Sequence, residues 1–131
     1  MSQAHEYPCP CCGYLVFDLP PGYHSCCPIC RWEDDLAQLR FAHMPGSANR
    51  VSLYEAQRNY SRTGSVDNFH QQETREPNIT ETRESGWRQL DETIDNIEEP
   101  RRGIDYSTNY PQDTTVLYYW RDTYWRQGKR C

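Results

Sequence analysis

Residues 9–30 read CPCCGYLVFDLPPGYHSCCPIC, and two cysteine knuckles punctuate them, Cys9-Pro10-Cys11-Cys12-Gly13 and Cys27-Pro28-Ile29-Cys30. The cysteines of each pair, Cys9 with Cys12 and Cys27 with Cys30, stand three positions apart, and fourteen residues separate the inner two. That spacing is close to that of four-cysteine zinc sites. Two thiolates of one knuckle reach the same ion only if the backbone turns sharply between them. Proline restricts such a turn, and Gly13 can take the positive φ needed straight after it. The reading is a single metal ion per chain held by Cys9, Cys12, Cys27 and Cys30. Zinc is the expected ion, and iron is possible in the same four-thiolate set. Cys11 and Cys26 each adjoin a proposed ligand and could substitute for it, His24 lies nearby, and Cys131 is terminal.

Between the knuckles, Tyr14-Leu15-Val16-Phe17-Asp18 is a short aromatic and β-branched run ended by Leu19-Pro20-Pro21-Gly22. Tyr23-His24-Ser25 can return beside it, which predicts a small β-hairpin joining the two halves of a zinc ribbon. Downstream, a helix is expected to begin around Asp34. Ser52-Leu53-Tyr54-Glu55 has the capping-box pattern, and Leu53, Ala56 and Tyr60 then share one face, so a helix should run from about Leu53 to Arg62 and stop at Gly64. Residues 65–84 are almost all polar and read as a surface excursion. Trp87, Leu90, Ile94 and Ile97 form an apolar stripe at helical spacing, ended by Pro100 and Gly103. In the tail, Asp113 can cap a helix whose Val116, Leu117, Trp120 and Tyr124 share a face, although Val116 to Tyr119 would also suit a strand.

The whole is expected to be α+β: a small four-cysteine zinc-ribbon or rubredoxin-like hairpin module with two to three packed α-helices. Residues 1–64 carry the metal ribbon and first helix. Residues 65–131 add a polar excursion, an acidic helix and an aromatic C-terminal segment packed in the same domain.

The totals agree with a metal-dependent fold. The chain has 131 residues, of which 36% are hydrophobic and 25% charged, and its mean hydropathy is -1.01. A core this thin needs extra stabilisation, and structural zinc can supply on the order of 10 kcal/mol. No signal peptide or membrane span is read in the sequence, so the protein is expected in the reducing cytoplasm, where seven cysteines favour metal ligation over disulfides.

Net charge is -5, which disfavours nucleic acid or anionic membrane as a general partner. Residues 51–100 hold five Arg against eleven Asp and Glu, whereas residues 101–131 hold six Lys and Arg against three Asp. The two charge blocks could pack together or offer a partner two faces.

Tyr7-Pro8-Cys9-Pro10-Cys11-Cys12-Gly13-Tyr14, Cys27-Pro28-Ile29-Cys30-Arg31-Trp32-Glu33-Asp34-Asp35 and Gly46-Ser47-Ala48-Asn49-Arg50-Val51-Ser52-Leu53, with Ala56 and Tyr60, together resemble the bacterial cysteine-rich CPCC domain. The resemblance covers about the first half of the chain and implies a small metal-binding module of uncharacterised function. Cys26 departs from that pattern, whose corresponding residue resembles a core-facing apolar one.

No phosphate-binding loop, nucleophile elbow or open zinc site is present in the sequence, so no enzymatic activity and no small-molecule substrate are expected. The expected role is protein binding, more specifically that of an immunity protein neutralising a cognate bacterial toxin domain. Trp32, Glu33, Asp34, Asp35, Trp87, Tyr118, Trp120 and Tyr124 are the candidate partner-binding residues, because Tyr, Trp and charged residues of this kind populate interfaces. Trp32 is also expected to pack over the metal site, and the carboxylates after it suit a helix start. A rubredoxin-like electron carrier and a nucleic-acid-binding ribbon using Arg121, Arg126, Lys129 and Arg130 are the alternatives.

Overall fold

The computed structural model describes residues 6–126. Two short strands, β1 (Tyr7–Pro8) and β2 (Leu15–Phe17), pair antiparallel around the first knuckle. Tyr7 faces Phe17 and Pro8 faces Leu15, so Val16 is a bulge without an opposite number. The hairpin therefore exists with a different partner from the one expected. Tyr23–Ser25 do not return beside Tyr14–Phe17, because the Oδ2 of buried Asp34 accepts the N–H groups of Gly22, Tyr23 and His24 at 2.7, 2.9 and 3.1 Å. A carboxylate has taken the donors that a strand would need. Residues 82–84 run along β2 instead: Leu15 N–H donates to the Thr82 carbonyl at 2.8 Å and Tyr14 bridges Arg83.

Helix α1 (Leu36–Arg40) begins where Asp35 accepts the N–H groups of Ala37 and Gln38. Helix α2 (Leu53–Thr63) is capped by Ser52, whose side chain accepts the Glu55 N–H, and ends at Gly64 with φ 80°, as the capping box and glycine stop predict. Short 3-10 turns occupy Gln71–Glu73 and Thr114–Leu117. The architecture is the expected small α+β one, a hairpin and helices around clustered cysteines.

Two expected helices do not form. Between Trp87 and Ile97, side chains of α2 claim the backbone: Gln57 Oε1 accepts the Leu90 N–H at 2.8 Å, and Arg58 Nη2 donates to the Leu90 carbonyl at 2.5 Å. The Asp91 carboxylate accepts the Thr93 N–H and hydroxyl, while Asp91 N–H turns to Asp95. These local bonds satisfy groups that a helical ladder would have used. In the tail, Asp113 does cap a turn, but it ends at Leu117. Successive Leu117, Tyr118 and Tyr119 are all buried, and three neighbours pointing inward are incompatible with one helical face.

The core is a single cluster that includes Cys9, Cys12, Cys27, Cys30, Ile29, Trp32, Leu53, Val66, Leu90, Leu117 and Tyr118. The acidic middle and basic tail meet across it. Glu84 binds Arg121 with paired bonds of 2.9 and 2.6 Å, and Arg126 lies 3.4 Å from Glu98. Arg40, the last residue of α1, is 8% exposed and makes two bonds to Glu98. The rings of Phe41, Tyr106, Tyr110 and Trp125 surround it at 4.9 to 5.0 Å. Among the described residues, no helix is long and apolar enough to cross a membrane.

Candidate metal centre

The two knuckles present similar backbone turns to one another. Gly13 N–H donates to the Cys9 carbonyl at 2.6 Å, and Arg31 N–H donates to the Cys27 carbonyl at 3.0 Å. Each turn is followed by a residue of positive φ, 84° at Gly13 and 74° at Arg31. The glycine satisfies that geometry without strain, whereas the arginine does not.

This arrangement brings four sulfurs together. Those of Cys9, Cys12, Cys27 and Cys30 lie within 4.8 Å of one another, with Cys9 and Cys30 3.6 Å apart and Cys12 and Cys27 3.8 Å apart. A tetrahedron with zinc–sulfur bonds of about 2.3 Å has edges of about 3.8 Å, so the donor set fits one tetrahedral ion. All four cysteines are completely buried. Burial pushes the thiols of Cys9 and Cys30 well up, whereas at Cys27 the effect of burial is outweighed by hydrogen bonds from Cys12, Cys30 and Cys9, which hold it well down. A metal ion must displace the remaining protons, so binding releases them to solvent. Cys11, also fully buried, is outside this four-sulfur group, and Cys26 is exposed.

Side chains remote in sequence finish the first knuckle. The Pro10 carbonyl accepts from Gln57 Nε2 at 2.9 Å and from Trp87 Nε1 at 3.1 Å, and the Cys12 carbonyl accepts from Arg83 Nε at 2.8 Å. The Trp87 ring lies so close to Gly13 that a Cβ there would sit 2.5 Å from its Cδ2. The second knuckle is covered by backbone: Val66 N–H donates to Cys30 and Arg75 N–H to Ile29. Loop residues 44–51 are held by fully buried Gln38, whose Nε2 reaches the carbonyls of Met44, Asn49 and Val51. Asn49 in turn pairs with both backbone groups of Glu33.

The family model for cysteine-rich CPCC matches residues 7–81, more than half of the sequence. The chain belongs to the cysteine-rich CPCC family. No curated protein and no solved structure matches it. In this CPCC protein the residues that roof the first knuckle, Arg83 and Trp87, lie just beyond the matched segment, so the second half completes the metal-binding half.

The candidate partner residues are distributed unevenly. Trp32 is fully buried beside the cysteines, Tyr118 is 1% exposed, and Asp34 and Asp35 are buried and hold backbone N–H groups. Their side chains are therefore consumed by the fold and are not open to a partner. Trp87 covers the knuckle, Trp120 Nε1 donates to Glu84 at 2.5 Å, and the Tyr124 hydroxyl reaches the Asn96 carbonyl at 3.3 Å. Glu33 keeps 43% of its side chain exposed, with His24 3.5 Å away. The tail cations Arg121 and Arg126 are engaged by Glu84 and Glu98, while Lys129 and Arg130 lie outside the described residues. Sequence reasoning missed Gln38, Gln57, Arg83 and Gly13's contact with Trp87. A buried glutamine carries no periodic or motif signal, and the Gly13 contact depends on a partner seventy-four positions away.

Proposed function

We propose that this CPCC protein is a non-enzymatic binding module of the cytoplasm, clamped by one zinc ion, whose partner is another protein. The observation that carries this reading is the closure of the metal centre. Four buried sulfurs use every position of a tetrahedral ion, and Arg83, Trp87 and Gln57 cover the knuckle. Such an ion holds structure together and meets no substrate. Surface chemistry supports a protein partner. Tyr23, Phe69 and Ile79 are 61%, 67% and 98% exposed, and the net charge of -5 favours encounter with a basic surface.

The partner we propose is a toxin domain, with this chain acting as its immunity protein. Co-expression with the product of the neighbouring gene tests this directly: the expected result is a stable complex and rescue of growth, and absence of both removes the immunity role. Metal content and visible absorption of protein purified without added metal test the clamp. One colourless zinc per chain is expected. One iron with thiolate charge-transfer bands would replace this reading with electron transfer.

A further inference from the structure

Arg31 holds a left-handed backbone conformation that its counterpart at the first knuckle gives to glycine. Its side chain makes no hydrogen bond or ion pair among the described residues, and its Nε is buried without a partner. Arg40, Arg75, Arg88 and Arg121, by contrast, each grip a carboxylate with two nitrogens, and Arg126, whose Nε is likewise buried without a partner, keeps Glu98 3.4 Å from its Nη1. The knuckle turn accounts for the backbone conformation, whereas the unpaired buried donor is a separate cost that the turn does not explain.

Arg31 lines a cavity of about 290 Å³ between the second knuckle and the 48–50 loop. Arg50 shares that cavity, also without a carboxylate partner among the described residues, its guanidinium 3.9 Å from the centre of the Phe69 ring. Glu73 is there too and pairs with neither arginine. The other charged or titratable groups facing the space are Cys26, Glu33, which lies near His24, and His70, whose Nδ1 is fixed on Asp67 at 2.8 Å. Two guanidinium groups and two carboxylates, Glu33 and Glu73, therefore line one small space with no ion pair between them among the described residues. A ligand bearing only negative charge would meet Glu73 and Glu33, and one bearing only positive charge would meet both arginines. A small zwitterion satisfies both signs, and planar guanidinium forks match a carboxylate.

We propose that this cavity binds a free α-amino acid, its carboxylate on Arg31 and Arg50 and its ammonium on Glu73. The site adjoins the second knuckle without using its four sulfurs, and it goes beyond the protein-binding role, on which it does not depend.

The test uses the full-length zinc form, with Cys131→Ser as background so that Cys26 at the cavity is the accessible thiol. The common L-amino acids are added singly at about 10 mM, a concentration that saturates millimolar sites. Acetate, methylamine and inorganic phosphate are the controls. The expected result is that at least one amino acid shifts the Arg31 side-chain N–H resonance and slows iodoacetamide alkylation of Cys26, binding at least tenfold more tightly than acetate or phosphate. Arg31→Gly, which suits the local backbone and preserves the fold, should abolish the protection of Cys26 from alkylation, and Glu73→Gln should remove the preference over acetate. Absence of binding by every amino acid overturns the proposal. So does equal binding of acetate or phosphate, which would mark a bare anion site, or unchanged binding in Arg31→Gly.

Discussion

Gly13 carries two requirements at once, a φ of 84° and a surface flat enough for the Trp87 ring. Adding one methyl group violates both, through left-handed strain and through overpacking. Gly13→Ala is therefore expected to cost about 3 kcal/mol, read as a lower urea midpoint of the zinc-loaded protein. The backbone requirement was legible from the knuckle motif, because a tight metal-binding turn calls for positive φ after its second cysteine. The tryptophan was not, since nothing in the local sequence says which distant side chain will stack on the turn. Arg31 shows the converse. Its residue type hid the fact that the second knuckle uses the same backbone conformation as the first.

The elements whose ends and faces are written locally were the legible ones. Ser52 and Gly64 bracket α2 because caps act within a few residues, and the cysteine spacing announced the metal ribbon for the same reason. The segment 87–97 failed because its apolar spacing was right for a helix while its backbone donors and acceptors had stronger offers elsewhere. Gln57 makes one of those offers, accepting from Leu90, while its Nε2 donates to the Pro10 carbonyl and to the Tyr119 hydroxyl. Gln57→Ala leaves the buried Leu90 N–H without its partner and removes one bond each from the Pro10 carbonyl and the Tyr119 hydroxyl, with an expected cost of about 3 kcal/mol. Gln89→Ala removes bonds to Ser61 and the Gln57 carbonyl at the more open edge of the same contact; as a near-surface change it should cost under about 0.5 kcal/mol. Equal effects of the two in chemical denaturation would show that α2 does not organise residues 88–90 through Gln57.

The molecule as a whole is tied at two places, the metal centre and the aromatic box around Arg40. Chelation should release the ion with loss of the near-ultraviolet circular dichroism of the tyrosines and tryptophans, because a contribution on the order of 10 kcal/mol exceeds what so thin a core can replace. Arg40→Met leaves partly buried Glu98 with only Arg126 as a described ion-pair partner, and should cost about 3 kcal/mol. The double replacement of Arg40 and Glu98 by Met should recover much of that loss, which a double-mutant cycle measures. The roof over the first knuckle also has a temporal meaning. Arg83 and Trp87 leave the ribosome more than fifty residues after Cys30, so the ribbon can capture its ion while that side is still open, and the lid arrives later. With the lid down, an ion held by the four sulfurs is expected to leave only when residues 82–87 lift away. Zinc transfer to a competing chelator should then reach a plateau rate that further chelator does not raise, set by that local opening. Trp87→Ala should raise the plateau far more than it weakens equilibrium affinity, making the centre a timer as well as a clamp.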